Sequence, residues 1–361
     1  MQHAEDFGKH AIQALINADD YNLITICSDE ADMTSSLRVR SLACEERPVH
    51  PGELQHRSTL NARMDRRTFL CLAPALLWTP GSPAATNARL RRRLPRGDES
   101  LPVVGMGTWL TFDVTDDYGA IQRRRAVLQR FFAAGGGMID SSPMYGQAEW
   151  LLGQLLPEVP HAGRLFAATK IWTAFDSAGP RQLDDSLQLW GQARLDAVLV
   201  HNLLNWRAHL RTLRQARDAG RVRYIGISTS HGRRHDDVAR LLRDEQLDLL
   251  QITYNLVDDS AEPLLQLAAE RGVGVVVNRP FDGGNLFHRV AGRALPNWAR
   301  DIGCADWPQF FLKWIIAHPA VTCAIPATSN PVHMEQNMAA GLGLLPDPAA
   351  RNRMRAYLRR L

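Results

Sequence analysis

From Leu101 onward, short apolar runs alternate with longer segments whose apolar residues recur at helical spacing. The runs fall at 103–104, 138–139, 165–169, 197–200, 223–227, 247–252, 273–277 and 321–325. Between them the pattern predicts helices at 121–134, 148–156, 181–190, 206–219, 236–243, 262–271 and 308–317. Another helix is expected at 331–340, after the last run. The punctuation agrees with these limits. A glycine triplet follows Ala134, Pro157 stops the second helix, and Gly220 and Gly272 end two more, while Pro331 opens the last. Short strands spaced by roughly 30 residues, each followed by a helix, build a parallel sheet, and eight such units close into a (β/α)8 barrel. The rival, an open doubly wound sheet, needs a glycine-rich loop running from its first strand into a helix. Here Gly105-Met106-Gly107 runs into Thr108-Trp109 instead.

Composition is compatible with this. Of the 361 residues 45% are apolar and 22% charged, enough for a sizeable core. The formal net charge is +4, and much of the excess sits in two basic runs, at 89–96 and 351–360. No aromatic residues interleave the first, so it reads as a solvated linker, and the second as a solvated helix face, rather than as a nucleic-acid surface. The five cysteines form no C-x-x-C pair, which argues against a zinc site or a redox motif, and Cys323 reads as a small core residue. No stretch is long and apolar enough to span a membrane in a mature chain. A monomer acting on a small molecule is expected.

A barrel of this kind places its chemistry at the C-terminal ends of its strands. The second run ends in Asp140, within Asp140-Ser141-Ser142-Pro143-Met144-Tyr145-Gly146. The third ends in Lys170 and the fourth in His201. Each alone has an ordinary structural reading, as a cap, a solvated lysine or a satisfied histidine. At consecutive strand ends they converge, with Tyr145, into one cluster suited to protonating a carbonyl oxygen. A phenol titrates near pH 10, too high for an efficient acid at neutrality, and a neighbouring ammonium lowers that value. The carboxylate keeps the lysine charged, and a neutral histidine can hydrogen-bond the substrate oxygen. No side chain supplies hydride, so a nicotinamide cofactor is implied.

With these residues in hand, the chain from about Leu101 to Leu345 resembles the aldo-keto reductases. The resemblance rests on Asp140, Tyr145, Lys170 and His201, and on the surrounding Gly107-Thr108-Trp109, Asp140-Ser141-Ser142, Thr169-Lys170-Ile171-Trp172 and Val200-His201-Asn202. It implies that Tyr145 is the general acid, tuned by Lys170 and Asp140, with His201 orienting an aldehyde or ketone. It implies NADPH, with NADH as the other possibility, lying across the barrel top. The carboxamide would be held by Ser228, Thr229 and Gln251, with Thr229 where the family usually has asparagine. Asn278 stands where a ring-stacking aromatic is common, leaving Arg279-Pro280-Phe281 as the source of a substitute. The adenosine phosphate would sit on Thr328, Ser329, Asn330, His333 and Asn337 at a helix start. Ala327 and His333 replace the usual basic residues, and Arg279 is the compensating charge. Trp109, Phe112, Trp172 and Trp206 are the implied substrate pocket. A regulatory, nucleotide-sensing protein on the same fold is the alternative function.

The chain ahead of the barrel divides in two. Residues 1–63 show no sustained period beyond a short helix at 11–16 and a short strand at 23–27. From Met64, Asp65-Arg66-Arg67-Thr68-Phe69-Leu70 resembles a twin-arginine export signal, with an apolar run to Trp78 and small residues from Gly81 to Ala85. The expected division is therefore 1–63 unassigned and untranslated, 64–100 signal and basic linker, and 101–361 barrel. Use of the signal would place the protein in the periplasm, without stable membrane insertion once the signal is removed. Otherwise it is cytoplasmic.

Overall fold

Arginine-rich and short, the first two strands pair with each other before the barrel begins. In the computed structural model, which describes residues 88–361 apart from 162, 231 and 233, β1 (Arg91–Arg93) runs antiparallel to β2 (Ser100–Pro102). Both lie within the unit Trp78–Leu361. The basic run at 89–96 is thus only in part solvated: Arg91 and Arg93 are exposed, while Arg89 and Arg92 are not. Arg92 gives its guanidinium protons to the carbonyls of Ile316, His318 and Val321, and Arg89 donates to that of Met338. These buried carbonyls need donors, and the guanidinium fork supplies several from one side chain. The expected signal and the two elements expected in 1–63 lie outside the described residues.

The sheet that follows has β3 (Met106–Gly107), β4 (Met138–Asp140), β5 (Phe166–Ile171), β6 (Leu195–His201), β7 (Val222–Ser228), β8 (Leu249–Thr253), β9 (Gly274–Asn278) and β10 (Val321–Ala324). Every neighbouring pair is parallel, in sequence order. Parallel bridges from Val104 to Ala324 and from Gly107 to Ala327 close the ring. The first strand lies slightly later than the apolar pair at 103–104, because Val104 makes only a bridge before the ladder to β4 starts at Met106.

The helices follow as the periodicity predicts. They are α1 (Tyr118–Ala133), α2 (Ala148–Leu155), α3 (Ala178–Trp190), α4 (Trp206–Asp218), α5 (His235–Asp244), α6 (Glu262–Glu270), α7 (Asn285–Arg289), α8 (Trp307–Ile316), α9 (Pro331–Ala339) and α10 (Pro348–Arg359). Asp117, Asp306, Asn330 and Asp347 cap α1, α8, α9 and α10 by accepting a backbone N–H of the first turn. Gly135 ends α1 with φ +77°, a conformation that costs glycine nothing. The short α7 was not legible in the sequence pattern. The basic run at 351–360 is only partly a solvated face. Arg351 lies 4.6 Å and Arg355 5.1 Å from the Trp314 ring, and Arg351 donates to the Tyr254 hydroxyl and the Trp314 carbonyl.

Two apolar clusters separate along the strands. Ile139, Ala167, Val198, Val200, Ile225, Ile227, Leu250 and Ile252 point outward beneath the helices. Met138, Phe166, Ala168, Ala197, Leu199, Leu249, Val276 and Cys323 fill the interior, closed at the strand N-termini by Leu94 and Leu101 of the hairpin. Alternate residues of a strand share a face. Asp140, Lys170, His201 and Gln251 each lie two positions after the interior residues Met138, Ala168, Leu199 and Leu249, so they form the next layer up, at the C-terminal end. No helix among the described residues is long and apolar enough to cross a membrane.

Candidate active site

Lys170 is fully buried on β5, and its ammonium lies 2.8 Å from Asp140 Oδ2 at the end of β4. A second proton goes to the carbonyl of Ser141 at 2.7 Å. Burial alone would discharge the lysine, but Asp140 and Tyr145 outweigh it and lift the ammonium above its ordinary value. Tyr145 sits half-buried in the loop after β4, with the Lys170 ammonium 5.0 Å from its ring centroid. The ammonium acts in the expected direction, against a second effect. Lys170 does pull the phenol towards ionisation, but burial is the larger effect and the phenol stays above its ordinary value. The acid is therefore held in its protonated form rather than primed to ionise.

The loop that carries Tyr145 is fixed by a residue the sequence reading passed over. Asp113, in the loop after β3, accepts the backbone N–H of Gln147 at 2.9 Å. Its carboxylate lies against Gly146, where a Cβ would come within 2.3 Å of Asp113 Oδ1. Gly146 also has φ +56°, so both space and backbone conformation require glycine there. Glu149 was passed over as well. It is buried on α2 and accepts from Thr169 Oγ1, Ser186 Oγ and Trp190 Nε1, tying α2 to β5 and α3. A glutamate inside the apolar pattern of α2 was its only signal.

His201 ends β6 and is 5% exposed. Its Nδ1 lies 2.7 Å from Ser228 Oγ at the end of β7. Ser228 Oγ is 3.2 Å from Gln251 Oε1 on β8, and Gln251 Nε2 donates to Asp140 Oδ1 at 2.8 Å. The structure thus joins Asp140, Lys170 and His201 through Gln251 and Ser228 in one hydrogen-bonded layer. Next to it, Thr229 is 2% exposed, and among the described residues its hydroxyl has no hydrogen-bond partner. An orphaned buried hydroxyl is costly unless a ligand group completes it. At this position it fits the amide of a nicotinamide.

Of the two expected substitutes at the ring-stacking position, Phe281 packs into the core and Arg279 lies beside Trp109. Asn278 is held in place, accepting from Thr253 Oγ1 at 2.8 Å and donating to the Thr229 carbonyl at 2.9 Å. Phe281 is committed to the core, 4.8 Å from Phe287 and 6.2 Å from Phe311, so it is corrected from stacking partner to packing residue. Arg279 has its guanidinium 5.9 Å from the Trp109 ring and 3.8 Å from Asp282, with Pro280 buried behind it. At the other end, Asn330 caps α9, Thr328 Oγ1 accepts the Asn330 N–H, and Ser329 is half-buried. His333 is exposed on the first turn of α9, and Asn337 is buried one turn on. These residues offer a helix N-terminus to a phosphate without any fixed positive charge of their own.

Among the pocket aromatics, Trp109 is 39% exposed at the barrel mouth and Trp172 is half-buried directly after β5. The Trp172 backbone is pinned at both N–H and carbonyl by Gln182. Trp206 opens α4, with the Arg207 guanidinium 4.3 Å from its ring. Phe112 is corrected: it is fully buried in the outer core and lines no open space. Its neighbour Leu110 has φ +58°, so the chain reverses there and carries Phe112 inward.

The chain has relatives in keeping with this geometry. It is 26% identical over 251 residues to the methylglyoxal reductase YeaE of Escherichia coli (strain K12), covering 67% of this chain and 86% of that protein. It is 27% identical over 296 residues to an L-glyceraldehyde 3-phosphate reductase of the same strain, covering 66% and 84%. A Klebsiella pneumoniae aldo/keto reductase, solved in complex with NADP and acetate, superposes with a TM-score of 0.61 at 23% identity, covering 72% of this chain and 92% of that one. The holo form of a Bacillus halodurans aldo-keto reductase gives 0.62 at 19% identity, with coverage of 75% and 96%. Residues 103–351 match the model of the aldo/keto reductase family, and with the buried Lys170–Asp140 pair beside Tyr145 and His201 the chain belongs to that family.

Proposed function

We propose that the C-terminal face of this barrel reduces aldehyde or ketone carbonyls, with Tyr145 as the proton donor. The observation that carries this is the buried ion pair of Lys170 and Asp140, 5.0 Å from the Tyr145 ring and hydrogen-bonded through Gln251 and Ser228 to His201. A bound nicotinamide would supply hydride to the carbonyl carbon. Ser228, Thr229 and Gln251 would hold its carboxamide. Thr328, Ser329, Asn330, His333 and Asn337 would receive the adenosine end, with Arg279 and Pro280 between. Tyr145, kept protonated by burial, gives its proton to the developing alkoxide, and the Lys170 ammonium stabilises the phenolate left behind. Trp109, Trp172 and Trp206 exclude water from the mouth.

Thr328, Ser329, Asn330, His333 and Asn337 include no lysine or arginine, which favours a cofactor site tolerant of both NADH and NADPH. The relatives named for methylglyoxal and L-glyceraldehyde 3-phosphate make small aldehydes the first panel to try. The test is loss of reduced-cofactor absorbance with that panel, run separately with NADH and NADPH. Aldehyde-dependent oxidation supports the reading. Tight cofactor binding with no turnover on any carbonyl would favour the regulatory alternative, to which Asn278 at the ring-stacking position lends support.

We further propose that translation starts at Met64 and that the segment from there to Ala85 directs export of the folded chain to the periplasm, where it acts as a monomer. Mass spectrometry of the native protein tests this: any peptide from residues 1–63 would refute the start site, and recovery in the cytoplasmic fraction alone would refute the location.

A further inference from the structure

We infer that the foot of the barrel, at the end opposite Tyr145, carries a second binding site, for a phosphate group. A cavity of about 230 Å³ opens there between the hairpin and the starts of the strands. Arg91, Glu99 and Ser100 of the hairpin wall it, with Gly137 just before β4, Arg164 two residues before β5, and Arg223 near the start of β7.

The charges around this cavity do not balance. Alternation along β1 divides its arginines: Arg92 serves the buried carbonyls around β10, and Arg91 and Arg93 lie on the other face. Arg93 pairs with Asp98 at 2.9 Å. Arg223 takes two carboxylates, Glu99 and Asp196, the second at 3.0 Å. Among the described residues, Arg91 and Arg164 have no carboxylate partner. Arg91 donates to the Ser100 carbonyl, and Arg164 Nε to the His161 carbonyl at 3.1 Å. Both bonds end on neutral oxygens, and a guanidinium keeps its charge at any working pH. Two uncompensated cations thus face one cavity, and Glu99, the carboxylate in its wall, is already engaged by Arg223.

Like charges held around one space repel, and a dianion between them turns that repulsion into attraction. The two guanidinium forks come from different elements, the hairpin and the chain entering β5. Their planar donors match the oxygens of a phosphate, and the Ser100 hydroxyl is a further donor. A Cβ at Gly137 would press on the Arg164 carbonyl at 3.1 Å and on Pro102 at 3.3 Å, so that wall is bare backbone. The space holds several waters' worth of volume, room for a free phosphate or for one with a short organic tail. A phosphate bound there ties the hairpin to the chain entering β5 and stabilises the fold in proportion to its occupancy.

The full chain is titrated with inorganic phosphate by calorimetry and by thermal melting, against sodium chloride at matched ionic strength, with glycerol phosphate as a second arm. The expected result is one site per chain and a Tm that rises with phosphate concentration. Arg91→Gln and Arg164→Gln alter exposed residues and should leave the ligand-free Tm unchanged. Each should weaken binding by about tenfold, the worth of one charge-assisted hydrogen bond. Binding of both ligands assigns the site to a phosphoryl group in general, and binding of one alone assigns it to that ligand. A response that sodium chloride reproduces is an effect of ionic strength only and overturns the inference. Binding that survives both substitutions lies elsewhere on the chain and overturns it too. Neither readout depends on carbonyl reduction.

Discussion

At the scale of single residues, the site works through burial more than through charge. Lys170 and Asp140 are nine-tenths or more out of water, and the phenol beside them is pushed up, not down. Two expectations follow. Tyr145→Phe should lower kcat for carbonyl reduction by about 10²–10⁴-fold, the usual worth of a general acid, with cofactor affinity changed by no more than about twofold. Steady-state kinetics and fluorescence titration of the cofactor measure the two, and full activity in the variant would refute the assigned role. The pH profile carries the second. The phenol must be protonated to act, and its pKa is raised from the ordinary value of 10.0. The limb of kcat/KM due to its ionisation in the free protein should therefore lie above pH 10.0, not near neutrality. An alkaline limb near pH 8 that disappears in Tyr145→Phe would contradict this.

At the scale of elements, Glu149 shows how a helix is registered on a catalytic strand. Three neutral donors from β5 and α3 converge on its carboxylate, and burial still raises its pKa from 4.5. Replacement by alanine strands those donors and opens a cavity, a loss of about 3 kcal/mol. Glu149→Gln keeps an acceptor and removes the charge. The sign with pH is set by the raised value: the contribution of this group is fully present below pH 4.5 and is lost as pH rises through the folded value. Melting curves from pH 4 to 8 should show a decline in wild type that is shallower in Glu149→Gln. Identical slopes would mean the carboxylate ionises as easily folded as unfolded.

At the scale of the molecule, the hairpin β1–β2 is the floor of the barrel. It lies ahead of the residues that match the family model, yet Leu94 and Leu101 belong to the interior cluster, and Arg92 satisfies three carbonyls around β10. Leu101→Ala should cost about 2–5 kcal/mol, and in a chain of this size lower Tm by roughly 5–15 °C. Calorimetry checks it, and a shift under 2 °C would show that the hairpin is dispensable. The C-terminal helix α10 is held by the same kind of chemistry, with Arg351 and Arg355 stacked on Trp314.

Local pattern made the barrel and its tetrad legible. A strand places alternate residues on one face, a repeat returns each strand end to the same rim, and both properties belong to short stretches of chain. Asp140, Tyr145, Lys170 and His201 could therefore be found by asking what each strand ends with. Closure of the ring decided the rest. It set Gln251 against Asp140 from a position 111 residues away, turned Phe112 and Phe281 into the core, bound Asn278 between Thr253 and Thr229, and folded Arg89 and Arg92 onto buried carbonyls. None of these leaves a mark in periodicity. A hydrogen bond across the barrel depends on which strand ends up opposite, and an arginine looks solvated until the carbonyls it serves are brought beside it by tertiary packing.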